Sequence, residues 1–235
     1  MCHTSTFAKR INAFNASLKY SGKLPEGISV MNPFRENSCA TPASRAFYDK
    51  YYNDNDKRLA ILGINPGRFG AGITGVPFTD PVRLAEACDI HIAACPAARE
   101  PSSVFVYEII NKFGGVEKFY SLFYINSLCP LGFTRQNEAG RQVNFNYYDS
   151  RELEKTISPF IVATLKRQIG LGLVTTVCFC FGKGKNYNYF NKLNKEYEFF
   201  EKIVPLDHPR FIMQYKSKDM EKIAQEYADI FKDAM

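Results

Sequence analysis

An asparagine, a histidine and a glycine-rich loop are the parts of this sequence whose residue types and positions suit chemistry on a bound ligand. Asn65 lies at the end of an apolar run, and residues 63–78 around it include five glycines and two prolines. This composition specifies a tightly turned loop, because glycine permits positive φ angles and close approach of the backbone to a ligand. Asn-Pro-Gly alone is a common turn, whereas the long glycine run favours a ligand-binding loop. The spacing matches neither a dinucleotide-binding nor a triphosphate-binding loop.

The histidine, His208, lies in the segment Asp-His-Pro-Arg at 207–210. Pro209 has no N–H and restricts the preceding residue to an extended backbone, so the histidine is held in a rigid turn. A single histidine is more often structural than functional, but this one follows a predicted strand whose end would face the asparagine loop. The residues after it suit a sugar–phosphate backbone and a solvated basic surface equally well: Arg210, Gln214, Tyr215, Lys216 and Lys218.

A second basic turn, Gly-Lys-Gly-Lys at 182–185, precedes a predicted helix. Backbone N–H groups at a helix N-terminus, together with the ammonium groups of Lys183 and Lys185, suit a phosphate group. A solvated turn with two surface lysines explains the same residues equally well, so both interpretations stand.

Four apolar runs are typical of strands covered on both faces, and each ends in a polar or glycine-rich segment. They span residues 58–65, 122–126, 174–181 and 202–206. Helical patterns alternate with them, which predicts an α/β protein with three layers (α/β/α) around a central, mainly parallel four-stranded sheet. Ligands of such sheets bind beyond the carboxyl ends of the strands, where the asparagine loop and the histidine turn would meet.

The helices are predicted from apolar periodicity and capping residues. Asp149 lies three residues before Glu152, which predicts a capped helix that kinks at Pro159 and stops at Gly170. The other helical patterns lie at 104–113, at 187–198, from Ser217 onward, in a short stretch after Pro42, and near the N-terminus behind a Ser5 or Thr6 cap.

The composition excludes several classes of protein. Of 235 residues, 46% are hydrophobic and 23% are charged, which is typical of an ordinary globular protein and not of a disordered, collagen-like or coiled-coil chain. A net charge of +6 permits an anionic partner without requiring one. The apolar runs are too short to span a bilayer, and the start of the chain has no apolar signal segment. Residues 1–235 are predicted to form one domain, with an N-terminal helical region at about 1–56 and a core at about 57–235.

The cysteines and histidines do not suggest a metal site. No Cys-x-x-Cys is present, and no two of His3, His91 and His208 have the spacing of zinc ligands. Cys178 and Cys180 lie inside an apolar run and are predicted to be buried free thiols of a reducing compartment. We expect no bound metal and a cytoplasmic localisation.

The asparagine loop resembles, without a gap over sixteen positions, the first motif of the single-strand-selective monofunctional uracil-DNA glycosylases, a family of the uracil-DNA glycosylase superfamily. The matching residues are Gly63, Asn65, Pro66, Gly67, Phe69, Gly70, Thr74, Gly75, Val76, Pro77 and Phe78. Leu-Cys-Pro-Leu at 128–131 is also shared, and Gly182-Lys183 is similar to the family's third strand end. His208-Pro209-Arg210 resembles the second motif, His-Pro-Ser-Pro-Arg, shortened by two residues as in a bacterial branch of the family. The resemblance covers about residue 58 to the C-terminus.

This resemblance implies a role for each matching residue. Asn65 would position the attacking water, and His208 would hydrogen-bond uracil O2 and stabilise the charge on the leaving base. Phe78 would stack on the flipped base. The pocket would be lined by the backbone of Gly63, Ile64 and Gly67, and the DNA phosphates would contact Lys183, Lys185 and Arg210.

Two departures from the family pattern affect these roles. The family has an asparagine before Leu-Cys-Pro-Leu that reads the uracil edge, and this chain has Ser127 there, which would read the base through a water or accept a wider base such as xanthine. Asn126 is adjacent, but alternation along a strand points it to the other face. The shortened second motif removes residues that fill the gap left by the flipped base, so Phe211 or Tyr215 would take that place.

The resemblance favours an enzyme that removes uracil from DNA without a lyase step, with xanthine or other deaminated bases as further candidate substrates. A catalytically silent nucleic-acid-binding module with the same fold is the alternative, because of Ser127. A small-molecule α/β hydrolase ranks last, since Gly-x-Ser-x-Gly is absent. DNA is the expected partner of a monomer associated with the nucleoid, with no membrane, no obligate protein partner and no cofactor. An iron–sulfur cluster is not expected without Cys-x-x-Cys.

Overall fold

A computed structural model describes residues 5–235 of the chain. His3, considered above, lies outside the described residues. Seven strands are present in this part of the chain: β1 (Ile28–Met31), β2 (Arg58–Gly63), β3 (Phe123–Ser127), β4 (Gly132–Gln136), β5 (Gln142–Phe145), β6 (Leu173–Phe181) and β7 (Lys202–Leu206). The helices are α1 (Phe7–Ser17), α2 (Pro33–Glu36), α3 (Ala40–Tyr51), α4 (Ala71–Thr74), α5 (Pro81–Glu86), α6 (Pro101–Phe113), α7 (Val116–Leu122), α8 (Arg151–Ile169), α9 (Lys185–Tyr197), α10 (Pro209–Tyr215) and α11 (Met220–Lys232).

The central sheet has the strand order β3-β2-β6-β7, and every neighbouring pair is parallel. One of its two inner strands, β2, is buried along its whole length, as a strand with helices on both faces requires. The predicted three-layer α/β/α fold is confirmed. Because all four strands run in one direction, their carboxyl ends at Gly63, Ser127, Phe181 and Leu206 lie along one edge.

A second sheet, of three antiparallel strands in the order β1-β4-β5, was not predicted. The pairing joins residues about one hundred positions apart, such as Val30 with Phe133, and the tight hairpin of β4 and β5 pairs Phe133 with Phe145. These strands are short and partly exposed, so they lack the continuous apolar run that marks the strands of the central sheet.

The N-cap residues of the helices agree in part with those predicted from the sequence. Of the two predicted caps of α1, Ser5 and Thr6, the structure shows Thr6, which accepts a hydrogen bond from the backbone N–H of Lys9. The prediction that Asp149 caps α8 is wrong: Ser150 is the cap and accepts the N–H of Leu153 at 3.3 Å. Asp149 instead accepts the N–H of Asn146, which closes the turn before the helix. The helix continues through Pro159 as a single element.

Cys178 and Cys180 are buried free thiols, as predicted, and Cys88 and Cys129 share that state. Cys39 and Cys95 form a disulfide, for which the sequence offered no signal because they are 56 residues apart. No helix between residues 5 and 235 is both long and apolar enough to cross a membrane. The same residues contain no group of three or more potential metal ligands.

Candidate active site

A cavity of about 330 Å³ opens at the carboxyl edge of the central sheet. It lies beyond β2, β3 and β7, where the sequence placed the site. Nine of the predicted site residues line it: Ile64, Asn65, Gly67, Phe78, Ser127, His208, Arg210, Phe211 and Tyr215. Gly63, Lys183 and Lys185 do not line it directly.

The Asn65 side chain is held in one orientation by the backbone at the end of β5 and just after it. Its Oδ1 accepts the N–H of Tyr147 at 3.2 Å, and its Nδ2 donates to the carbonyl of Phe145 at 3.3 Å. A backbone N–H needs an acceptor and a carbonyl needs a donor, so these two bonds determine which side-chain atom is Oδ1 and which is Nδ2. Nδ2 also lies 3.5 Å from the carbonyl of Pro66, whereas Oδ1 keeps one further accepting position for a ligand or a water.

Tyr147 is itself fixed by a buried network below the site. Its hydroxyl donates to Oδ1 of Asn186 at 2.6 Å, and Nδ2 of Asn186 donates to the carbonyl of Phe181 at 3.0 Å. Asn186 lies in the first turn of α9 and is 1% exposed. The ends of β5 and β6 are therefore joined through buried side chains to the amide of Asn65.

His208 is the N-cap of α10, and its ring is turned toward the cavity. Its Nδ1 accepts the backbone N–H of Arg210 at 3.1 Å, which leaves the proton on Nε2. Burial, with the positive charge of Arg210, lowers the pKa of His208 to about 4. The imidazole is therefore neutral near pH 7 and presents one N–H donor.

Phe78 lies against His208, with ring centroids 5.7 Å apart, and lines the cavity at 9% exposure. It is a non-glycine residue with a φ of 54°, a backbone conformation that costs energy and is common at functional sites. A Cβ at Gly63 would lie 2.7 Å from its ring, so the absence of a side chain at Gly63 creates the space for Phe78. This gives Gly63 a place in the site although it does not line the cavity.

Ser127 lines the cavity and Asn126 does not, as strand alternation predicted. Asn126 is turned into the protein, where its Nδ2 donates to the hydroxyl of Tyr124 and its Oδ1 accepts the N–H of Ser127. The serine hydroxyl is shorter than an asparagine amide and leaves more room in the cavity.

The basic turn after β6 contacts the end of β7. Asp207 binds the ammonium group of Lys183 at 2.9 Å and that of Lys216 at 3.2 Å. Lys183 remains 61% exposed in its side chain, and Lys185 at the start of α9 is exposed as well. These cations lie outside the cavity lining and extend a basic surface beside it.

Three predicted residues, Arg210, Phe211 and Tyr215, lie on α10 at the mouth of the cavity. The rings of Phe211 and Tyr215 pack in a tilted arrangement with centroids 5.1 Å apart, and they are 40% and 65% exposed. An exposed aromatic pair beside a cavity suits a contact with bases, and the pairing makes the two rings one surface.

Sequence reasoning missed Glu100, Asn144, Asn146 and Tyr148, which also line the cavity. Three of them follow or belong to β5, which was not predicted. Glu100 precedes α6 in a stretch without periodicity, so its polar type alone carried no signal.

Comparisons with known proteins identify the family of the chain. Residues 50–233 match the family model of the uracil DNA glycosylase superfamily. Among solved structures, the crystal structure of wild-type SMUG2 of Pedobacter heparinus is 50% identical, with a TM-score of 0.95 over 98% of this chain and 99% of that chain. No curated protein sequence matches. The family model covers well over half of the chain, and the chain therefore belongs to the uracil DNA glycosylase superfamily.

Proposed function

We propose that this protein is a monofunctional DNA glycosylase that hydrolyses the N-glycosidic bond of uracil in DNA, and that it belongs to the bacterial branch of single-strand-selective enzymes with a shortened second motif. The observation that carries the proposal is the convergence of Asn65, His208 and Phe78 on one cavity. The similarity to SMUG2 of Pedobacter heparinus supports the choice of this branch.

The geometry indicates a separate role for each of these residues. The target base leaves the helix and enters the cavity, where Phe78 stacks on its face. As the bond between the base and the sugar breaks, negative charge gathers on uracil O2, and the Nε2–H of His208 stabilises it. The Asn65 amide holds a water against the positively charged sugar. A neutral imidazole suits this role, since it donates a hydrogen bond without a net charge to desolvate.

We propose a substrate range wider than uracil. Ser127 occupies the position at which the family has an asparagine, and its shorter side chain leaves room for a purine such as xanthine. The paired rings of Phe211 and Tyr215 would fill the gap left in the DNA. On this proposal the partner is DNA, the protein acts as a monomer without a cofactor, and it works in the cytoplasm beside the nucleoid.

Single- and double-stranded oligonucleotides that carry uracil, xanthine, hypoxanthine or thymine test the proposal through alkali-dependent strand scission. We expect scission at uracil and xanthine by the wild-type protein. Asn65→Ala should lose about 10²-fold or more of the rate and keep its DNA affinity, because the amide positions water and not DNA. Salt-sensitive binding without scission at any base would instead identify a silent binding module.

A further inference from the structure

Glu100 is a carboxyl group in the cavity that the mechanism above does not use. It precedes α6, is partly buried, and is the single carboxyl among the residues that line the cavity. Its backbone N–H donates to Oδ2 of Asp80 at 2.8 Å, which anchors the main chain at this point. Burying an ionisable carboxyl group in a cavity costs free energy, so its retention there is consistent with a function.

The side chain of Glu100 lies over the loop that begins with Asn65. Its Oε1 is 3.0 Å from the position that a Cβ would take at Gly67, and its carboxyl would overlap a Cβ at Gly70. Two glycines of the first motif therefore provide the space in which this carboxyl lies. Asn65, which lies in this loop, and Glu100 therefore both line the cavity.

The surroundings of Glu100 set its protonation. The hydroxyl of Ser103 donates to its Oε2 at 3.3 Å. Burial, followed by the negative charge of Asp80, raises the pKa of Glu100 to about 7, while Ser103 and Arg210 oppose the rise. Arg83 lies 3.8 Å from Asp80 and partly balances that carboxylate. A carboxyl with this pKa accepts a proton near neutral pH more readily than an ordinary glutamate does.

The other two polar groups of the proposed mechanism do not suit proton acceptance. An amide such as that of Asn65 does not take up a proton at ordinary pH. His208 already uses Nδ1 to accept the N–H of Arg210, and its Nε2 carries a proton. We infer that Glu100 is a catalytic residue that takes the proton of the water held by Asn65. This inference rests on the proposed function and deepens it.

In this reaction one bond breaks, one bond forms and one proton is transferred. The bond between C1′ and the base nitrogen breaks, and its electron pair leaves with the base, where His208 stabilises the charge. The water oxygen forms a bond to C1′, and one water proton passes to the carboxylate of Glu100. That proton later reaches the departing base or the solvent, which restores the carboxylate.

Glu100→Gln tests the inference because it keeps the size and hydrogen bonding of the side chain but removes the base. We expect the single-turnover rate of uracil excision by the wild type to rise about tenfold per pH unit below pH 7 and to level off above it. The variant should be about 10²-fold slower at pH 7.5 and independent of pH in this range. Glu108→Gln in the helix that follows, α6, is the matched control, since Glu108 pairs with Lys112 outside the cavity.

Protein stability gives a second readout. A folded-state pKa above the ordinary value means that Glu100 favours the folded state at low pH, and that this contribution is lost as the pH rises through about 7. The free energy of unfolding of the wild type should therefore fall relative to that of Glu100→Gln between pH 5 and pH 8. Glu108→Gln should follow the wild type.

Each outcome decides a different point. Wild-type excision with an unchanged rate and pH profile in Glu100→Gln overturns the inference and leaves the proposed function intact. A wild type that excises no base overturns both. If Glu100→Gln does not fold, the wild-type pH profile decides: a rate that is flat from pH 5.5 to pH 8 excludes a base with a pKa near 7.

Discussion

The backbone N–H of Arg210 donates to Nδ1 of His208, and this one bond determines which nitrogen of the imidazole faces the cavity with a proton. The bond exists because His208 caps α10, so the start of the helix and the chemistry of the ring depend on each other. The two residues are adjacent to Pro209, which holds the turn.

The protonation state of His208 can be measured directly. Burial and the charge of Arg210 lower its pKa to about 4, so we expect the ring to stay neutral, with its proton on Nε2, down to pH 5. Since this folded-state pKa lies below the ordinary histidine pKa of 6.5, acidification from pH 6.5 toward pH 4 should destabilise the fold. Nitrogen-15 chemical shifts, assigned with His208→Asn, report the titration. A midpoint above pH 6 would contradict the burial of the ring.

Gly63 controls the position of Phe78 from outside the cavity. Gly63→Ala should push the ring away, because the new Cβ would lie 2.7 Å from its present position, and uracil excision should fall by about tenfold or more. In a protein that already carries Phe78→Ala, Gly63→Ala should lower the excision rate little further, because the ring that it would displace is absent. A double-mutant cycle on the excision rate measures this coupling. Fully additive effects would show that Gly63 acts by another route.

Ser127 should set the choice between pyrimidine and purine bases. Ser127→Asn fills the space beside the base and supplies a direct hydrogen-bonding edge, so we expect the ratio of uracil to xanthine excision to rise about tenfold or more. Ser127→Ala, which keeps the space but removes the hydroxyl, is the control and should not raise this ratio. Parallel kcat/KM measurements on the two substrates provide the test. An unchanged ratio in Ser127→Asn would place base selection elsewhere in the cavity.

Lys183 should contribute one phosphate contact in spite of its ion pair with Asp207. Lys183→Ala should lower the slope of log K against log salt by about 0.9, because one fewer counterion is released from the DNA. Lys112→Ala is matched to it, since Lys112 also pairs with a carboxylate but lies outside the cavity lining. Fluorescence anisotropy over a salt series measures both slopes. Equal slopes for the wild type and Lys183→Ala would place Lys183 outside the DNA path.

The central sheet was predictable because its strands are continuous apolar runs that end at abrupt polar turns. β2 shows the limit of this reasoning, since it begins with Arg58, a charged residue that is fully buried. The guanidinium lies over the rings of Phe7 and Tyr52 and binds Asp54, none of which is visible as a local pattern. The strand was predicted in spite of its first residue.

Asn65, His208 and Phe78 could be predicted because they belong to dense local motifs. Glu100 could not, since the space it occupies is created by glycines about thirty residues earlier in the chain. Asn144 and Tyr148 were missed for a different reason: they depend on the pairing of β4 with β5 and on a contact with β1, and these pairings are set by tertiary packing and not by local periodicity.

The backbone of Phe145 and Tyr147 holds the Asn65 amide. Changes in the small antiparallel sheet can therefore alter the position of this amide. The hairpin tip at 137–140 is exposed, so insertions there should leave the molecule intact. A shift of β5 by a single residue would instead move the carbonyl of Phe145 and the N–H of Tyr147 away from the amide. Natural variation or directed evolution in this hairpin can therefore change the speed of the reaction while every residue that touches the DNA stays the same.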